Sequence, residues 1–112
     1  MTDRCRVYIA GAVTGVEGYE EKFARAEVVL RSIGLEPVNP VAPGSEPGAD
    51  YRFYINRGFD KLMGCDMICL LPDWSESKGA RLEKHYAEAV GMPAIFIKDL
   101  ETFQFESEVF AL

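Results

Sequence analysis

The 112-residue chain has no long apolar run, no basic cluster, no paired cysteines and no phosphate-loop glycines, and each absence removes a class of function. No apolar stretch approaches the roughly 20 residues a bilayer-spanning helix needs. The first ten residues also lack the basic start and apolar centre of a secretion signal. A cytoplasmic protein with no membrane partner is expected. Lys and Arg number 12 against 18 Asp and Glu, a net charge of -6. Without a basic stripe to release counterions from phosphates, a nucleic-acid polymer is excluded as partner, and a small ligand or a protein is favoured.

Cysteine is scarce and odd in number. Cys5, Cys65 and Cys69 lie in or beside apolar runs, with neither the CxxC spacing nor the histidine partners of a zinc site. They read as buried thiols. The one histidine, His85, falls on the polar face of its helix, which removes the most obvious general base. Gly11-Ala12-Val13-Thr14-Gly15 has neither the Gly-Lys-Ser/Thr ending of a phosphate loop nor the GxGxxG fingerprint, so the usual modes of ATP and NAD binding are disfavoured.

What is present is an alternation of strands and helices in one domain, 1–112. Arg6 to Gly11 is a β-branched and aromatic run closed by glycine, a first buried strand. Glu17 to Ile33 carries Tyr19, Phe23, Ala26, Leu30 and Ile33 at helical spacing, with Gly34 where a left-handed cap belongs. Leu35 to Asn39 is a short strand placed near an edge by Pro37, which cannot donate to a ladder. A Pro-, Gly- and Ser-rich loop, 40–49, precedes a helix over 51–64 whose apolar stripe is Ile55, Phe59, Leu62 and Met63. Cys65 to Leu71 is a central strand, 77–91 a third helix, 93–97 a fourth strand, and the tail carries Phe103, Phe105, Val109 and Phe110.

Such alternation implies an α/β fold. The expectation is a three-layer sandwich of flavodoxin or Rossmann-like type, with helices on both faces of a parallel sheet of four to five strands in the order 2-1-3-4. Ligands bind such sheets at the carboxyl ends of the strands where the order reverses. Here the loops after the first and third strands would meet there.

On a helical wheel the third helix separates Ala80, Leu82, Tyr86, Ala87, Ala89 and Val90 from Arg81, Lys84, His85 and Glu88. Glu83 falls in the apolar half, the only charge there, flanked by Val90 and Ala87. A buried carboxylate without a partner costs several kcal/mol. Glu83 therefore has a hydrogen-bonding partner, is protonated, or opens into a cleft; it is either a catalytic carboxylate or a brace for the glycine-containing turn. Desolvation would raise its pKa, while the helix N-terminus and Lys78 or Arg81 would lower it. Ser77 suits the N-cap, and Gly79 lets backbone amides approach an anion. Tyr8, on the first strand, is placed to hold the carboxylate or to serve as core. Trp74, the only tryptophan, would stack on a ligand or cover the sheet edge.

These residues resemble a known group. Val7-Tyr8-Ile9-Ala10-Gly11, Val38-Asn39-Pro40, Cys65-Asp66, Leu70-Leu71-Pro72-Asp73-Trp74 and Ser77-Lys78-Gly79-Ala80-Arg81-Leu82-Glu83 are similar to the nucleoside 2-deoxyribosyltransferase-like superfamily, most closely its small phage and bacterial branch. The resemblance reaches about Ile97. It implies cleavage of the N-glycosidic bond of a nucleoside or its 5′-monophosphate, passing the sugar to another base or to water, with no metal or organic cofactor. It also implies Glu83 as nucleophile, Tyr8 as the tyrosine that holds it, and a substrate-binding group of Gly11, Trp74, Ser77, Gly79 and Ala80. Ser77 stands where relatives acting on monophosphates carry serine. Many relatives place an aspartate, which helps protonate the leaving base, where this chain has Gly58. Asp60 would face solvent instead, two residues being about 200° of helix. The aromatic tail and the resemblance both point to a homodimer or larger homo-oligomer. Two further readings remain open, a nucleotide-binding or sequestering module without turnover and an interaction protein with a vestigial pocket.

Overall fold

A computed structural model describes residues 4–13, 15–41 and 51–101, with side chains described from residue 55 in the last segment. Residues 42–49 of the Pro-, Gly- and Ser-rich loop and the aromatic tail over 102–112, both singled out in the sequence, lie outside the described residues. The chain runs β1 (Arg6–Ala10), α1 (Tyr19–Ser32), β2 (Glu36–Val38), α2 (Tyr51–Met63), β3 (Met67–Leu70), α3 (Lys78–Ala89) and β4 (Ala94–Phe96), with a 3-10 turn at Trp74–Glu76 before α3. The described strands form one parallel four-stranded sheet in the order β2-β1-β3-β4, the order expected from the alternation.

Strand periodicity divides the core into two layers. Val7, Ile9, Cys69 and Leu71 face α1 and pack on Phe23, Ala26, Val29 and Leu30. Their neighbours Tyr8, Ala10, Ile68 and Leu70 face the other way, onto Leu62, Ala80 and Ala87 of α2 and α3. A residue's place along β1 thus decides its layer, and Tyr8 belongs to the α2 and α3 side.

Glu20 and Glu21 in the first turn of α1 and Arg31 in its last complement the helix dipole. Its end is a Schellman motif: Gly34, at φ 87°, donates to the Arg31 carbonyl and Leu35 to that of Leu30. Pro37 lies in an edge strand as its missing N–H requires. The cysteines are free, Cys65 and Cys69 buried and Cys5 half-buried, and burial pushes the Cys69 thiol up to about 12. Among the described residues no helix is long and apolar enough to cross a membrane.

Three helix faces depart from the wheel. Ile33 and Met63, assigned to buried stripes, are substantially exposed because each lies at or beyond the last turn of its helix, where the chain turns off the sheet. On α3 the buried face is Ala80, Glu83 and Ala87, while Leu82 and Val90 are about half exposed, at 50% and 56%. Val90 is the C-cap, so the wheel no longer governs it; Leu82 lies about 100° of rotation from Glu83. The buried stripe is thus two alanines with a glutamate between them. Small side chains bring α3 close to the sheet, and Glu83 stands at the centre of that approach.

Candidate active site

The site is built by three elements. β1 presents Tyr8 on the α2 and α3 face, 1% exposed. From α3, Glu83 is directed at it from between Ala80 and Ala87. The Tyr8 hydroxyl donates a hydrogen bond to Glu83 Oε2. α2 closes the third side with Gly58, where a built Cβ would lie 2.8 Å from Glu83 Oε2 and 2.8 Å from the Tyr8 hydroxyl. The sequence places position 58 toward the sheet and the site, and the structure finds it there. Asp60 is exposed.

Glu83 is 8% exposed, the one charged side chain buried among the described residues. Burial pushes its carboxyl up to about 7, against the pull of the Tyr8 hydrogen bond, which favours the ionised form. The expected help from Lys78 and Arg81 does not materialise. Arg81 donates to the Ser75 carbonyl, 3.3 Å away, and Lys78 is exposed. Lys84 pairs with Glu88 and lies 5.2 Å from the centroid of the Trp74 ring. Desolvation therefore prevails, and near neutrality the carboxyl is shared between its acid and its anion. Tyr8, buried beside that carboxylate, is held well above the usual phenol range and stays protonated as a donor.

Removing the donor has a signed consequence. In Tyr8→Phe the anion loses its hydrogen bond while burial remains, so the Glu83 carboxyl is expected to titrate higher still. A carboxyl NMR titration of wild type and variant checks this; a midpoint that falls would contradict it.

Ser77 is the N-cap of α3, its Oγ accepting from the Ala80 amide at 3.1 Å. The Arg81 backbone amide donates to the Ser77 carbonyl, which leaves Lys78 and Gly79 as first-turn amides with no acceptor inside the helix. Of the amides that the sequence offers to an anion, that of Ala80 is turned onto Ser77. Trp74 lies in the 3-10 turn before the helix, half-buried against the same core layer as Tyr8. Gly11 follows β1, and a Cβ there would come within 2.7 Å of Leu71 Cδ1, so its missing side chain is accounted for by packing.

Sequence reasoning missed a latch across the strand ends. Asp73 Oδ1 accepts from the Ala12 amide at 3.0 Å, and Lys22 bridges the Ala12 carbonyl, at 2.8 Å, and Asp73 Oδ2. The loops after β1 and β3 are thereby tied together beside the switch point. A motif-level signal existed in Asp73 following a strand end, but Lys22 carries none. Asp73 also lines a cleft of about 190 Å³ with Lys22, Ala26, Leu71 and Ile97, on the α1 face and so across the sheet from Glu83. Among the described residues no group of three His, Cys, Asp or Glu side chains is placed to hold a metal ion.

The sequence model of a family described as "Domain of unknown function (DUF4406)" matches residues 5–96. Among solved structures, the chain is similar to a 2-deoxyribosyltransferase from Bacillus psychrosaccharolyticus, at TM-score 0.63 and 19% identity, over 82% of this chain and 71% of that one. It is equally similar to a 2-deoxyribosyltransferase from Leishmania mexicana, at TM-score 0.63 and 20% identity, over 82% of this chain. The chain spans 63% of the Leishmania protein's length. At these identities the likeness is one of fold. No curated protein sequence matches the chain.

Proposed function

The chain belongs to the family described as a domain of unknown function, DUF4406, and we propose that it cleaves the N-glycosidic bond of a small nucleoside or nucleoside 5′-monophosphate, with Glu83 as the nucleophile. The observation that carries this reading is a single buried carboxylate, held by a tyrosine hydroxyl at its Oε2, near the carboxyl edge of a switch-point sheet. The 2-deoxyribosyltransferase fold supports it.

Departure of a base leaves its sugar with oxocarbenium character, and an anion fixed beneath the anomeric carbon stabilises that charge or captures it as an ester. Water or a second base then takes the sugar and regenerates the carboxylate. In this reading Tyr8 holds Oε2, leaving Oε1 to face the sugar. The first-turn amides of α3 beside Ser77 anchor a 5′-phosphate through the helix dipole, while Trp74 and the backbone at Gly11 flank the ligand.

One observation favours a second reading. Gly58 supplies no acid to protonate the leaving base, and its surroundings have no space for one. Loss of a positioned acid typically costs roughly 10²–10⁴-fold, which would turn the same pocket into a nucleotide-binding module. Incubation with a panel of nucleosides and their 5′-monophosphates, with free base followed chromatographically, separates the readings. The enzyme releases base, faster from monophosphates; saturable binding without release supports the module; neither outcome leaves an interaction protein.

Assembly belongs to the same reading, since Leu82 and Val90 leave apolar surface on α3. Light scattering is expected to give at least twice the chain mass of 12.5 kDa, and a monomeric mass would contradict it.

A further inference from the structure

We propose that Gly58 is a positioning residue for Glu83, and that the absence of a side chain at this one turn of α2 lets the carboxylate lie inward on the Tyr8 hydroxyl. Glycine inside a helix is intrinsically unfavourable against alanine, so its place in the interior of α2 calls for a local reason. The reason is space. An added Cβ would stand 2.8 Å from both oxygens of the Tyr8 and Glu83 pair, closer than carbon tolerates. Glycine fits there because the hydrogen-bonded pair occupies the volume that a side chain would take.

The two oxygens differ in their freedom to yield. The Tyr8 ring is fixed by its strand and by the layer of Ala10, Leu62, Ile68, Leu70, Ala80 and Ala87. Glu83 has rotatable side-chain torsions and keeps 8% of its surface exposed. A methyl group at position 58 therefore displaces the carboxylate, while its contact with the fixed Tyr8 hydroxyl is left to be relieved by a shift of α2. Outward movement removes burial, the larger influence on its proton, and also removes the Tyr8 hydrogen bond, the smaller. The two act in opposite directions, and loss of burial prevails.

The same contact makes position 58 a switch between two kinds of site. With glycine the carboxylate is inward, desolvated and tethered. With alanine it is displaced outward and loses its tether. The consequence for turnover rests on the glycosidic reading above, whereas the geometry of the pair does not.

The test compares wild type with Gly58→Ala, and with Asn56→Ala as a control at an exposed α2 position. Glu83 is titrated by carboxyl NMR, its signal identified by loss in Glu83→Gln, and thermal stability is measured in parallel. Gly58→Ala is expected to lower the Glu83 midpoint from about 7 by a unit or more and to lower the melting temperature, against the usual helix trend; Asn56→Ala leaves both in place. In a Tyr8→Phe background the cost of Gly58→Ala is expected to shrink, because one of the two opposing oxygens is gone. Should Gly58→Ala alone fail to fold, recovery in that background supports the proposal and continued failure overturns it. An unchanged midpoint, a raised melting temperature, or an equal cost in both backgrounds likewise overturns it. Base release is then compared in the same proteins. A wild type that releases none would remove the glycosidic reading while leaving the titration result to decide the role of Gly58.

Discussion

Glu83→Gln is expected to gain stability over wild type as pH rises, by about 3 kcal/mol between mildly acidic and alkaline solution, from a carboxyl moved from 4.5 to about 7 at 1.36 kcal/mol per unit. The direction follows from proton counting. The folded carboxyl binds its proton more tightly than the unfolded one, so between pH 4.5 and about 7 the native state holds a proton that the unfolded chain has released. The contribution of Glu83 is fully present below 4.5 and is lost as pH rises through about 7. Glutamine keeps the shape, can accept from Tyr8 through its amide oxygen, and has no proton to lose. The measurement is urea unfolding of both proteins across this range. The difference between them should be flat below the window, grow through it and level off above it; a difference independent of pH would show that the carboxyl is not desolvated. Comparison with the variant is essential, because the Asp73 carboxyl, half-buried but hydrogen-bonded by Lys22 and Ala12, is held low and contributes with the opposite sign in more acidic solution.

The same substitution is expected to lower base release by roughly 10³-fold or more, the scale on which removal of a covalent nucleophile acts. Stability and activity should thus move in opposite directions at one residue. That combination distinguishes a catalytic carboxylate from a structural brace, whose removal would cost stability. It also follows from the burial that sets up the site. A carboxylate in a water-poor setting acts strongly on a developing positive charge because little solvent screens it. The same desolvation makes it costly to ionise. Tyr8 moderates the conflict by donating to the anion, and its own proton is secure because burial and the adjacent carboxylate hold it well above the usual range.

Much of this was legible in the residues before any geometry. Parallel topology came from alternation, and the edge place of β2 from a proline that cannot donate. The inward direction of Glu83 came from its neighbours on the helix wheel, and Ser77 was readable as the N-cap. The errors have a common source. A wheel assumes that every apolar residue goes inward and that the helix continues, whereas Leu82 and Val90 are partly exposed and Val90 is already the cap. The buried stripe was instead marked by its small residues, Ala80 and Ala87, which allow close approach to the sheet. Charge balance around Glu83 was not legible either. Lys84 and Arg81 are adjacent in sequence but committed to Glu88 and to the Ser75 carbonyl, so burial acts with little opposition. The Lys22 and Asp73 latch joins residues 51 positions apart, a pairing that periodicity cannot reveal.

The pH profile of base release by wild type and Glu83→Gln, measured with whichever nucleoside or 5′-monophosphate reacts fastest, tests the central claim most directly. The account predicts that kcat/KM for the wild type rises with loss of one proton near pH 7, and that the variant stays near the uncatalysed rate throughout. Release by Glu83→Gln at the wild-type rate, or a wild type that liberates no base from any substrate tried, would contradict it.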